Sequence, residues 1–148
     1  MNTMEVRFSA TLMNESFARM VVTSFIAPLN PTMDEMSEVK TIVSEAVSNA
    51  IIHGYRLDAS KEVVMKATID KDSLTLIISD YGIGIDNIEL ALKPSFTTRP
   101  DLERAGMGLT IIQSLSNEFA IRSVIGMGTK ITIKKVFSNA LTYAYGDK

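Results

Sequence analysis

Thr41-Ile42-Val43-Ser44-Glu45-Ala46-Val47-Ser48-Asn49-Ala50-Ile51-Ile52-His53-Gly54 is the stretch that decides the fold. Read with the residues just before it, its apolar side chains recur at helical spacing. Met36, Val39, Val43, Ala46, Val47 and Ala50 fall on one stripe. At about 100° per residue, Glu45 and Asn49 lie off that stripe, one turn apart on the same face. The pair reads in two ways: as a solvated helix face, or as a carboxylate base set beside a carboxamide metal ligand. Thr32 followed by Glu35 predicts a capping box where the helix starts. Gly54 is the expected C-terminal stop.

Before this helix, Glu5 to Ala10 alternates apolar and polar residues, as a half-buried strand does. Asn14 is the expected cap of a first helix running to about Ala27, where Pro28 and Pro31 end it. Phe17, Met20, Val21 and Phe25 are its expected inner face; Glu15, Arg19 and Thr23 are expected to look outward. After the central helix, Val63, Met65, Ala67 and Ile69 form one face of a strand. Asp70 to Ser73 is a turn, and Leu74, Leu76, Ile78 and Asp80 share one face of the hairpin partner. A carboxylate ending an apolar row is costly to bury unless something donates to it, so Asp80 should have a designated donor.

Tyr81-Gly82-Ile83-Gly84 breaks that strand. Residues 86–105 show no sustained periodicity beyond a short helix at Ile88 to Leu92, and read as a binding lid or a disordered segment. Gly106-Met107-Gly108 opens a helix, Leu109 to Asn117, followed by strands at Phe119 to Ile125 and Thr129 to Val136. Residues 138–148 carry no pattern. The order of elements predicts one domain over 1–148: an α+β two-layer sandwich, its sheet mixed or mostly antiparallel, its helices on one face.

Composition narrows the function. A chain of 148 residues with 46% hydrophobic residues can bury a core without staples. Net charge of -2 and a pI near 5.4 do not suggest a nucleic-acid partner. The absence of cysteine excludes disulfides, thiolate chemistry and Cys-based zinc sites, and suits a cytoplasmic location. No signal peptide is visible, and the most apolar run, Met20 to Leu29, is too short to span a membrane. A mean hydropathy of +0.16 is high for a small domain, and leaves open a generous core or a protein interface.

Asp80-x-Gly82-x-Gly84 is by itself either a turn or a place where a flat ring approaches the backbone, with Asp80 accepting from an exocyclic amine. Gly106-x-Gly108 precedes a helix, whose free N–H groups suit phosphate. Neither a P-loop nor a Rossmann fingerprint is present. Arg99 and Arg104 flank the irregular segment, as surface arginines or as contacts to a terminal phosphate. His53 reads as a helix-terminal residue rather than a catalytic one.

Taken in order, Glu45-x-x-x-Asn49-Ala50, Asp80-x-Gly82-x-Gly84, Gly106-x-Gly108-Leu109 and Gly128-Thr129 resemble the N, G1 and G2 boxes and terminal Gly-Thr of the GHKL ATPase/kinase superfamily. The resemblance runs from about Val6 to Val136. Residues 45–55 and Ser95-Phe96-Thr97-Thr98-Arg99-Pro100 further resemble the anti-sigma-factor serine kinases of Gram-positive bacteria. The resemblance implies a Bergerat-type fold binding ATP and Mg²⁺, with ADP as product. Asn49 would be the one protein ligand to the metal. Asp80 would bind the adenine amino group with Thr129 nearby, and Gly82 and Gly84 would line the base pocket. Gly106 and Gly108 would wrap the phosphates, with Thr97, Met107 and Leu109 completing the nucleotide contacts. Glu45 would take the proton from an attacking serine, and Arg104 would neutralise the γ-phosphate.

The resemblance also implies partners: a homodimer that sequesters a sporulation sigma factor, and an anti-anti-sigma factor phosphorylated on serine and then released. Glu15, Arg19 and Thr23 are the candidate docking face. No phospho-accepting histidine domain or transducer domain is visible, so an autophosphorylating histidine kinase, topoisomerase or chaperone ATPase is not expected. Two rival readings remain: a nucleotide-gated binding module without phosphotransfer, and a plain ATPase releasing phosphate to water.

Overall fold

The computed structural model describes residues 1–93 and 108–140. Its elements are β1 (Asn2–Ser9), α1 (Asn14–Ile26), α2 (Met33–Ser48), β2 (Glu62–Asp70), β3 (Ser73–Asp80), α3 (Ile88–Ala91), α4 (Gly108–Leu115), β4 (Glu118–Val124) and β5 (Gly128–Val136). A single turn at Ala27–Leu29 follows α1, and a wider π-helical turn, Asn49–Gly54, continues α2.

The capping box forms as its sequence predicts. Thr32 Oγ1 accepts from the Glu35 N–H at 3.0 Å, and Glu35 Oε1 accepts from the Thr32 N–H at 2.9 Å. Two of the helix's orphan donors are thereby satisfied. The second Glu35 oxygen accepts from the N–H and hydroxyl of Ser138, tying the end of the last strand to the start of α2. Burial raises the Glu35 pKa, but the donors from Thr32 and Ser138 outweigh it and hold the carboxyl below its usual range. Thr32→Ala is expected to cost about 1 kcal/mol, lowering the melting temperature by about 3 °C, as thermal denaturation would show.

The five strands form one wholly antiparallel sheet in the order β1-β2-β3-β5-β4. On β2 and β3 its inward rows are those the alternation predicts, Val63, Met65, Ala67 and Ile69, then Leu74, Leu76 and Ile78; Ile131 and Ile133 supply the inward row of β5. They share one core with Val39, Ile42, Val43, Ala46 and Val47 of α2 and Leu109 and Ile112 of α4. The helices cover this face alone; the opposite face presents polar residues such as Lys66, Arg122 and Lys130. At one end of the β5 row, Lys135 is buried and its Nζ donates at 2.7 Å both to Glu38 Oε1 on α2 and to the Leu115 carbonyl ending α4. That cation at a helix C-terminus clamps both helices to the sheet.

The first helix departs from expectation. Its buried row is Ala18, Val22 and Ile26, one residue on from the expected face. Phe17 and Met20 are 45% and 70% exposed, while Val21 and Phe25 are half-buried. The physical reason is fit: the small Ala18 faces the core, and Phe17 instead meets Phe8 edge-on, ring centroids 6.0 Å apart. Asn14 does not cap the helix. Its side-chain amide donates to the Ser9 carbonyl at 2.9 Å, fastening α1 to β1.

The same rotation changes the surroundings of Glu15 and Arg19. They do not look simply outward but line the seam between α1 and α2. Arg19 Nη1 donates to Ser44 Oγ at 2.7 Å, and Ser48 Oγ donates to Glu15 Oε2 at 2.7 Å. Arg19 and Glu15 are themselves 3.6 Å apart. Thr23 Oγ1 donates to the Met20 carbonyl within the helix. Among the described residues no helix is long and apolar enough to cross a membrane.

Candidate nucleotide site

At the end of β3 opposite Lys135, the apolar row closes on Asp80, only 4% exposed. Its carboxylate accepts from the Gly82 N–H at 3.0 Å and from the backbone N–H of Thr129. Asp80 thus has the donors that its place in the row demands. Burial is the larger influence and raises its pKa to about 6; the two N–H donors act the other way.

Gly54 and Gly82 allow the chain to close around this carboxylate. A Cβ on Gly54 would lie 2.6 Å from Asp80 Cγ and Oδ1, and a Cβ on Gly82 would strike the carbonyl of Gly54. That same carbonyl accepts from the Ile83 N–H at 3.0 Å. Gly54 was expected only to stop a helix; here the last residue of the π-helical turn touches the loop after β3. Gly84 has a different cause. Its φ is +80°, and a Cβ there would strike the Val124 carbonyl, so it seats the loop against the β4–β5 hairpin. The Gly126 N–H donates to the Ile83 carbonyl at 2.8 Å in the same contact.

Two further residues hold the loop, and the sequence reading did not single them out. Tyr55 accepts from the Tyr81 N–H at 2.8 Å and donates its own proton to the Glu62 carbonyl at 2.7 Å. Burial is the main influence pushing its phenol pKa up. Ser123 Oγ accepts from the Ile85 N–H at 2.7 Å and lies 2.8 Å from Thr129 Oγ1. Ser123 was legible in principle, because it continues the inward row Phe119, Ile121 on β4. Tyr55 carried no signal beyond being a polar aromatic after a glycine.

Glu45 and Asn49 occupy the last turn of α2 and its junction with the π-helical turn, both half-buried. There the chain shifts to longer bonds, the Tyr55 N–H donating to the Ala50 carbonyl five residues back. Such widened turns often mark functional sites. The register pairs Asp80 with Thr129 and Thr129 with Ser123, so the three form one row across β3, β5 and β4. Gly108 and Leu109 begin α4, with Leu109 buried in the core. Thr110 of α4 donates to the Leu92 carbonyl at 2.7 Å, joining the two sides of the gap in the described chain. Thr97, Arg99, Arg104, Gly106 and Met107 lie outside the described residues.

A five-stranded antiparallel sheet with helices on one face and a glycine-ringed carboxylate at a strand end marks a class, the histidine kinase-like ATPase domain; that family's model matches residues 8–135. An anti-sigma F factor of Priestia megaterium is 49% identical over 140 residues, covering 94% of this chain and 95% of its own. That of Bacillus velezensis is 50% identical over 139 residues, covering 94% and 95%, and that of Clostridium beijerinckii 49% over 137, covering 93% and 96%. The chain belongs to the histidine kinase-like ATPase family and, within it, to the family of the anti-sigma F factors. Among solved structures, the RsbU and RsbW domains of Rv1364c from Mycobacterium tuberculosis match at a TM-score of 0.66 and 17% identity. The match covers 95% of this chain and 33% of that longer one. The mycobacterial sensor histidine kinase MprB matches at 0.54 and 21%, covering 70% and 73%. At these identities the likeness is one of fold.

Proposed function

We propose that this protein is an anti-sigma factor and Mg-ATP-dependent protein serine kinase of the cytoplasm. It would bind and inhibit a sporulation sigma factor as a homodimer, and phosphorylate a serine of an anti-anti-sigma factor. The observation that carries the nucleotide part is Asp80: a buried carboxylate, held by two backbone N–H groups, at the end of an otherwise apolar row. The three relatives above, each an anti-sigma F factor matched over nearly its whole length, support the partner part.

The residues suit the nucleotide and the metal. An acceptor set in an apolar wall recognises the amino edge of adenine while the wall takes the ring. Thr129 adds a hydroxyl beside it. Among the described residues no cluster of three or more acidic, histidine or cysteine side chains could cage a metal. A lone amide, Asn49, suits magnesium, which keeps water and phosphate oxygens as its other ligands. Bound there, magnesium would neutralise charge on the triphosphate.

Glu45, one turn before Asn49, would take the proton of the serine hydroxyl as its oxygen bonds to the γ-phosphorus and ADP leaves. Gly106, Gly108, Thr97 and Met107 would enclose the phosphates, Leu109 would back them, and Arg104 would meet the charge on the transferred group. Glu15, Arg19 and Thr23 remain the proposed docking face. Met13, Phe17 and Met20, on a different face of the same segment, are exposed apolar side chains, which suits a protein contact. Arg19→Glu should weaken binding of both partners; unchanged affinity for both would remove this face from the account.

The decisive experiment supplies γ-labelled ATP, Mg²⁺ and an anti-anti-sigma protein, and locates the label. Label on a partner serine is expected. Glu45→Gln should cut its appearance by about 100-fold or more with ATP affinity retained. Steady phosphate release without labelled protein would instead mark a plain ATPase, and ATP binding with neither outcome a nucleotide-gated module.

A further inference from the structure

The hydroxyl of Ser123 meets three groups: the Ile85 N–H at 2.7 Å, the Gly128 carbonyl at 3.1 Å and Thr129 Oγ1 at 2.8 Å. A hydroxyl has one proton to give and two lone pairs to receive with. The Ile85 N–H can only donate, so it takes one lone pair. The Gly128 carbonyl can only accept, so it takes the proton. The third contact is then satisfied in one way alone: Thr129 donates its proton to Ser123. If Ser123 instead donated to Thr129, its oxygen would face the Gly128 carbonyl with no proton between them.

From this we infer that Ser123 is a positioning residue for base selection: it draws the Thr129 proton away, so that Thr129 presents only lone pairs beside the Asp80 carboxylate. Thr129 and Asp80 are cross-strand partners on the inner face, 5% and 4% exposed. The row is therefore an edge of acceptors. It takes an exocyclic amine, which has two N–H donors, and rejects a 6-oxo purine, whose carbonyl oxygen would face other oxygens unpaired. Site groups that hydrogen-bond a ligand discriminate strongly against analogues that cannot answer them. Ser123 also fastens the loop after β3 through Ile85, so it couples the shape of the base pocket to its polarity. The inference rests on the adenine-binding reading above and assigns the source of its selectivity.

Calorimetric titration of the full chain with ATP and with inosine triphosphate tests it. The wild type should prefer ATP. In Ser123→Ala, Thr129 is free to turn its proton toward the pocket, and ATP affinity should fall by about tenfold while that for inosine triphosphate holds or rises. The ratio of the two affinities should thus shrink at least tenfold. Ser123→Thr, which keeps the hydroxyl on a strand, should restore it. Thr129→Val, which removes the acceptor without touching the Ile85 anchor, should shrink the ratio likewise, even should Ser123→Ala fail to fold. Equal losses for both nucleotides, ratio unchanged, would mean that Ser123 only holds the loop and would overturn the inference. Failure of the wild type to bind either nucleotide would overturn the adenine reading itself.

Discussion

Alanine at Gly54 is expected to abolish tight nucleotide binding while the rest of the fold survives. The added carbon would sit 2.6 Å from Asp80 Oδ1, inside the contact distance of any real side chain. Asp80 cannot swing aside without giving up the Gly82 and Thr129 N–H donors, and leaving either unpaired in a buried place is costly. Overpacking of this kind costs about 1–3 kcal/mol in stability. Its effect on binding is larger, because the displaced group is the proposed reader of the base; a loss of about 100-fold in ATP affinity follows if the carboxylate leaves its place. Gly82→Ala should act still more severely, since its obstacle is the Gly54 carbonyl, a backbone atom with nowhere to go. Calorimetry with ATP, paired with thermal melts of the ligand-free protein, separates the two effects. Near-wild-type ATP affinity in both variants would place the nucleotide elsewhere.

Asp80→Asn is expected to trade the two properties in opposite directions. The folded pKa of Asp80 is raised, to about 6 from an ordinary 3.8. Between those values the folded state holds more protons than the unfolded one, so stability falls as pH rises through that window. Below it the group contributes no difference; above pH 6 the cost is fully present. The size is about 3 kcal/mol at neutral pH, for a side chain that is almost wholly buried. Asparagine does not ionise, so the variant should lack this decline. Urea unfolding of the ligand-free proteins at pH 5 and pH 8 should show the wild type losing stability relative to Asp80→Asn at the higher pH. ATP affinity should fall by tenfold to about 100-fold, since a charged acceptor has been lost. A variant that gains nothing at pH 8, or that binds ATP as before, contradicts the role given to the buried charge.

Most of this architecture could be read from periodicity. The alternation in 62–80 and the helical stripe of 36–50 each have a dominant period, and the structure follows both. Asp80 stood out because a carboxylate in an apolar row violates its own pattern, and the structure supplies the donors that excuse it. The first helix misled for a definite reason. Phe17, Met20, Val21 and Phe25 outweigh Ala18 and Val22 in hydrophobicity, but close approach to α2 favours the smaller side chains. Gly54 hid its role because a glycine ending a helix already has an explanation, and its contact with Asp80 joins residues 26 positions apart in the chain. The clamp made by Lys135 was hidden likewise: its partners Glu38 and Leu115 lie on two helices that only the folded chain brings together.

The claim at the centre is that the end of β3, the turn after α2 and the start of α4 enclose one nucleotide. A crystal structure of the protein with a non-hydrolysable ATP analogue and Mg²⁺ tests it most directly. The account predicts the adenine amino group within hydrogen-bonding distance of the Asp80 carboxylate, and Asn49 among the ligands of the ion. An analogue bound away from Asp80, or an ion held without Asn49, would contradict it.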